Sequence, residues 1–216
     1  MNKKPHGFGI TILFRLLLTI DNIGFPFLFY NGVTMKKVAV ILADGFEEVE
    51  AITSVDFLRR AGIEVILTSI AELKVTGSHD IVILADITLD ALQDDLDGII
   101  LPGGMPGAAN LAQSKALITF IGKMSKSNKL LAAICAAPAL VLGGSGLLEG
   151  RQFTCYPGFE NEISGANFST GSVVLDGNIL TSRGPGTAAE FAIAIIEYLL
   201  GIEAANAVKK STLQNG

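Results

Sequence analysis

From residue 35 onward, short apolar runs of strand length alternate with amphipathic stretches. "KKVAVIL" (36–42) is a continuous apolar run suited to a strand covered on both faces. "EEVEAITSVDFLRRAG" (47–62) has helical spacing and closes on Gly62, and "EVILTSI" (64–70) returns to strand character. That order is a βαβ unit and implies a parallel pair. The same pattern predicts strands at 81–85 (IVILA), 97–104 (DGIILPGG) and 129–135 (KLLAAIC), a helix over 114–128, and another over 136–144 directly after Cys135. In "VVLDGNIL" (173–180), Asp176-Gly177 stands between apolar runs as a hairpin signal. "GPGTAAEFAIAIIEYLLG" (184–201) predicts a long closing helix with Pro185 tolerated at its entrance. No repeat, low-complexity tract or linker interrupts 35–201, so one α/β domain with a mainly parallel sheet is expected.

Residues 1–34 break the pattern. The segment starts basic and is rich in apolar residues, yet Arg15 and Asp21 interrupt it short of the roughly 20 residues a spanning helix needs, and no small-residue cleavage site follows cleanly. The reading adopted is an N-terminal extension outside the fold, with the domain beginning at Met35 and running to 216. A weakly membrane-associating tail is the alternative.

Composition narrows the function classes. The 216 residues are 50% hydrophobic and 17% charged, with a formal net charge of −5 and a pI near 5.0. An acidic chain without a Lys/Arg cluster offers nothing to a phosphate backbone, so nucleic acid is excluded as an expected partner. Two cysteines, Cys135 and Cys155, are too few for a disulfide framework and point to a reducing cytoplasm.

In a sheet of this kind, ligands bind outside the carboxyl ends of the strands. Three stretches converge there: "ADGFEEVEA", carrying Glu47, Glu48 and Glu50 to a helix start; "LPGGMPGAAN", where Gly103 and Gly104 let the backbone come close to a ligand; and Cys135. A residue on a tight strand-to-helix turn is held in a sparsely populated backbone conformation and presents its side chain above the sheet. The helix that follows should aim N–H groups and its positive end at the sulfur and lower the thiol pKa, while the Ala136 N–H and the glycine loop could form an oxyanion hole. A buried Cys135 acting as a small hydrophobe fits the pattern equally well. No His/Cys cluster has metal-ligand spacing, and the glycine loop has neither a P-loop lysine nor a dinucleotide fingerprint, so no metal or cofactor is expected.

The motifs "VAVILADGFEEVEAI…VDFLRRAG", "LPGGMPGAANL", "AAICAAPALV" and "LTSRGPGTAAEFAIAIIEYL", in order over about 36–210, resemble the ThiJ/PfpI superfamily. The nearest group includes the Parkinson-associated deglycase, with its glyoxalase III activity, and its bacterial relatives. The resemblance implies a flavodoxin-like three-layer sandwich related to class I glutamine amidotransferases, a cytoplasmic homodimer, and a nucleophilic, oxidisable cysteine at the elbow, here Cys135. It implies a protonated carboxyl partner at Glu50, leaving Glu47 and Glu48 as solvated helix-start acids. Many members carry a histidine where this chain has Tyr156. The remaining histidines are His6, in the extension, and His79, expected on the surface or at a subunit contact. A protease or amidase would therefore lack its general base. Cys155 is a candidate resolving thiol, and Arg183 a candidate substrate-carboxylate clamp or a structural residue. Two functions follow from the resemblance: a cofactor-independent glyoxalase III or deglycase acting on methylglyoxal-type 2-oxoaldehydes, or a redox sensor or chaperone working through oxidation of Cys135.

Overall fold

The computed structural model describes residues 35–214; the expected extension lies outside them. In chain order the elements are β1 (Lys37–Leu42), α1 (Glu48–Arg60), β2 (Glu64–Ser69), β3 (Lys74–Thr76), β4 (Val82–Leu84), β5 (Ile87–Thr88), β6 (Gly98–Leu101), α2 (Gly107–Gln113), α3 (Lys115–Lys126) and β7 (Leu130–Ile134). A π-helical turn (Pro138–Gly143) follows, then β8 (Gln152–Phe153), β9 (Asn167–Phe168), β10 (Val173–Asp176), β11 (Ile179–Ser182), α4 (Ala188–Leu200) and α5 (Ile202–Ser211).

Seven strands form the central sheet in the order β10-β11-β7-β6-β1-β2-β5, parallel throughout except for β10. The continuous apolar run of β1 is explained by burial on both faces. Val38, Val40 and Leu42 pack with Leu58 of α1 and Phe191 and Ile195 of α4, while Ala39 and Ile41 face the opposite layer with Leu117 and Ile121 of α3. These three layers are the flavodoxin-like sandwich the resemblance implied. Gly62, at φ +80°, ends α1 as expected, and the Ser114 Oγ caps α3 by accepting from the Leu117 N–H at 3.3 Å.

Three expectations need correction. The 81–85 run does not extend the central sheet. Its residues Val82–Leu84 pair antiparallel with β3 in a separate two-stranded arm, where Ile81, Val82 and Leu84 stay exposed because no layer covers them. The hairpin turn is Gly177-Asn178 rather than Asp176-Gly177. Asp176 is still paired with Ile179, and its carboxylate accepts from Arg151 and from the Gln152 N–H. The stretch after Cys135 is a six-residue π-helical turn beginning at Pro138, which has no N–H to give, rather than a full α-helix. Periodicity also missed α5, which Gly201, at φ +89°, separates from α4.

Candidate functional site

The order of the sheet places β1 between β6 and β2, so the chain changes direction across β1 and β6, and the loops after β1, β6 and β7 open into one crevice. The first two loops are bonded together: the Glu47 N–H donates to the Gly103 carbonyl at 3.0 Å and the Gly107 N–H to the Gly45 carbonyl at 3.1 Å. Gly104, at φ +86°, turns the backbone close beneath the β1 loop, where a Cβ would stand 2.4 Å from the Glu47 nitrogen.

Cys135 is the residue immediately after β7. Its φ of +65° is the left-handed conformation that a non-glycine residue adopts at a cost, and it is held there on both sides. Its N–H donates to the Ser182 carbonyl at 3.0 Å, and its carbonyl accepts from the Tyr156 N–H at 2.8 Å. The side chain is half-buried against Glu50 and Gly103. A Cβ on Gly103 would lie 2.5 Å from the Cys135 Cβ, 2.9 Å from Glu50 Oε2 and 3.0 Å from the sulfur, so glycine is what admits the pair.

Glu50 is fully buried. Its Oε2 accepts from the Gly103 N–H at 2.7 Å, and its Oε1 has no partner of good hydrogen-bond geometry among the described residues. Desolvation pushes its carboxyl up to about 7, against the pull of the Gly103 bond and the Cys135 contact. Burial likewise pushes the Cys135 thiol up to about 12. The charge of Glu50 adds to that rise, while the N–H groups of Gly104 and Ala136 oppose it. The expected lowering of this thiol is thus not what its surroundings give: desolvation is the largest cause of the rise, and the Glu50 charge the next. The turn behind the sulfur is short and starts on proline, and a carboxylate stands beside it. The two groups titrate as a pair. With the shared proton on Glu50, the Coulombic contribution disappears and the carboxyl becomes a donor, leaving three donors for a thiolate.

The three N–H groups expected to form an oxyanion hole divide. The N–H groups of Gly104 and Ala136 serve the sulfur, whereas that of Gly103 is engaged by Glu50. Tyr156 is tied to Cys135 by its backbone N–H, with its ring edge on Gly184 and in T-shaped contact with Phe159 at 6.4 Å between centroids. Cys155 is fully buried, its thiol pushed up to about 12 by burial and then by Glu160, with Arg183 opposing; both cysteines are free. Arg183 donates to the Thr170 carbonyl at 3.4 Å. A cleft of about 390 Å³, lined by residues including Asp44, Lys74, Asn110 and Gln113, lies beside the site and does not include Cys135.

Sequence reasoning misjudged Glu48. It is buried, not solvated, and its carboxylate accepts from the N–H groups of His79 (2.7 Å) and Ile81 (3.4 Å), from His79 Nδ1 (2.9 Å) and from Ser78 Oγ (3.3 Å). Burial acts to raise it, but the His79 and backbone bonds win and hold it at about 2. A Cβ on Gly77 would lie 2.2 Å from Glu48 Oε1, so this glycine ahead of "SHD" was the available signal. His79 is on the surface, as expected, and its pKa is raised first by its bond to Glu48. Glu47, Glu48 and His79 bring potential metal-ligand atoms within 4.8 Å of one another, but those of Glu48 and His79 are already paired.

Residues 36–198 match the model of the DJ-1/PfpI family. The chain is 40% identical over 179 residues to protein DJ-1 homolog B of Arabidopsis thaliana, covering 82% of this chain but 41% of that protein. It thus spans less than half the length of the Arabidopsis relatives it matches. It is 33% identical over 180 residues to the glutathione-independent glyoxalase DJR-1.2 of Caenorhabditis elegans, covering 81% of this chain and 95% of the relative. The solved structure of oxidized Toxoplasma gondii DJ-1 superposes with a TM-score of 0.80 at 38% identity, covering 82% of this chain and 98% of that one. Among the described residues no helix is long and apolar enough to cross a membrane. A strained cysteine beside a buried glutamate thus sits on a fold that sequence and structure both match across most of its length, and the chain belongs to the DJ-1/PfpI family.

Proposed function

We propose that the protein is a cysteine-dependent, cofactor-independent glyoxalase acting on methylglyoxal-type 2-oxoaldehydes, with deglycase action on their adducts passing through the same intermediate. The observation that carries this reading is the buried Glu50 carboxyl, raised to about 7 and set against the Cys135 thiol. A carboxyl that gains and loses a proton near neutrality suits both halves of the reaction. The Cys135 thiolate adds to the aldehyde carbon while Glu50 gives its proton to the oxygen, forming a hemithioacetal. The Glu50 carboxylate then takes the proton from that carbon as the neighbouring carbonyl oxygen gains one, giving an enediol, and returns its proton to the neighbouring carbon as the first hydroxyl loses its own, giving a thioester. Water hydrolyses the thioester, releasing lactate and the thiol, so methylglyoxal plus water becomes lactate with no other reactant. The N–H groups of Gly104 and Ala136 would stabilise the developing oxyanion. The likeness to a relative named as a glutathione-independent glyoxalase supports the reading. The test is turnover of methylglyoxal to lactate by the purified protein without glutathione, expected to vanish in Cys135→Ser; absence of turnover in the wild type refutes it.

A second reading, oxidation of Cys135 to a sulfinate held by Glu50 and the same N–H groups, is favoured by the half-exposure of Cys135 beside a fully buried Cys155, and by the oxidized state of the Toxoplasma relative. One-site sulfinate formation at low peroxide, seen by mass spectrometry, tests it. We place the domain's start at Met35 and the protein in the cytoplasm as a homodimer. Val49, Ile52, Ile81, Val82 and Leu84 are exposed apolar side chains that a second copy would cover, and light scattering of the purified protein tests the dimer.

A further inference from the structure

Small residues gather at the ends of the strands here: Gly103 against the sulfur, Gly104 and Ala136 giving it their N–H groups, Ala137 next in the chain and Gly184 just beyond β11. Against this background Tyr156 is a large ring, 47% exposed, on a residue bonded directly to the nucleophile's own carbonyl at 2.8 Å. Its orientation is fixed from two directions. The ring edge rests on Gly184, where a Cβ would come within 3.2 Å of Cδ2 and 3.7 Å of Cε2, and the face-to-edge contact with Phe159 supports the other side. Gly184 is two residues beyond Ser182, whose carbonyl accepts from the Cys135 N–H at 3.0 Å. The Tyr156 N–H and the Gly184 contact of its ring thus both lie at the seam between the ends of β7 and β11, where Cys135 leaves the sheet.

We propose that the Tyr156 ring is the wall that sets the size of electrophile admitted to Cys135, restricting the site to small carbonyl compounds and excluding those with bulky or aryl substituents on the reacting carbon. The inference rests on Cys135 being the reactive residue, and its test reads access to the thiol rather than turnover. The Gly184 backbone is extended, a conformation any residue adopts, so a methyl group there disturbs the ring by contact and not through backbone strain. This gives a second handle on the same wall that leaves Tyr156 in place.

The experiment measures the alkylation rate of the Cys135 peptide, by mass spectrometry of the full-length protein, with iodoacetamide and with the bulkier N-phenylmaleimide. Tyr156→Ala should raise the ratio of the bulky to the small reagent's rate on the order of tenfold, the discrimination a close-fitting apolar wall supplies. Tyr156→Phe, which keeps the ring, should hold the wild-type ratio, and Gly184→Ala should move the ratio without altering either cysteine. An unchanged ratio in Tyr156→Ala, or a Phe variant that behaves like Ala, overturns the wall. A wild-type Cys135 that reacts with neither reagent overturns the reactive-cysteine reading and the wall together. A lost methylglyoxal turnover with the ratios as expected refutes the glyoxalase alone.

Discussion

Glu48 and Glu50 are two residues apart on one turn of α1, both buried, and the fold treats them in opposite ways. Glu48 receives four donors from the 78–81 turn and is held ionised at about 2; Glu50 receives one backbone N–H and a thiol and is raised to about 7. Both are desolvated, so burial alone does not decide the outcome; the number of donors does. The better satisfied carboxylate fastens the β3–β4 arm to the start of α1. The poorly satisfied one holds its proton to about neutrality, the property on which the proposed reaction relies.

The sharpest way to break this comparison is chemical. Glu50→Gln keeps the shape and removes the titration, so kcat/KM for methylglyoxal should fall by about 10² to 10⁴, the range associated with a lost general acid–base. Steady-state lactate formation checks it.

Next comes pH. Because the folded Glu50 carboxyl binds its proton more tightly than the ordinary value of 4.5, its contribution to stability is complete below that value and is lost as pH rises towards about 7. Glu50→Gln should therefore be more stable than wild type at pH 8, by up to about 3 kcal/mol, with the difference fading by pH 4.5. Urea unfolding at the two pH values tests the sign. Glu48 runs the other way. Its lowered carboxyl stabilises above 4.5 and loses that contribution as pH falls towards about 2. Glu48→Gln should cost about 2–3 kcal/mol at neutral pH by leaving paired donors unmet. In a thermal melt that is a Tm lower by about 5–10 °C for a domain of this size. The smallest effect sharpens the donor count: Ser78→Ala removes one shared hydroxyl and should cost about 0.5–1 kcal/mol in the same melt.

Much of this was legible in the sequence because of where the strands lie. β1, β6 and β7 are covered on both faces, so each reads as an unbroken apolar run, with α1, closed by Gly62, after β1 and α3, followed by Asn128 at φ +53°, before β7. Cys135 was legible as an elbow because a strand run ends on it and small residues follow. The β3–β4 arm misled because an exposed three-residue strand and a covered one share the same apolar letters. Glu48 misled for a related reason. A helix-start acid looks solvated until the 78–81 turn folds back over it, and that contact spans some thirty residues. The divided donors at the thiol were equally hidden, since whether Gly103 serves sulfur or carboxylate depends on a single N–H direction.

Gly103 also fixes how a reactant can approach. The space a methyl group would need there is already taken by the Cys135 Cβ, the sulfur and Glu50 Oε2, at 2.5, 3.0 and 2.9 Å. The floor beneath the thiol is thus sealed by its own backbone. Redesign for new reactants has to work on the rim, because a side chain added at the floor would act as a permanent plug.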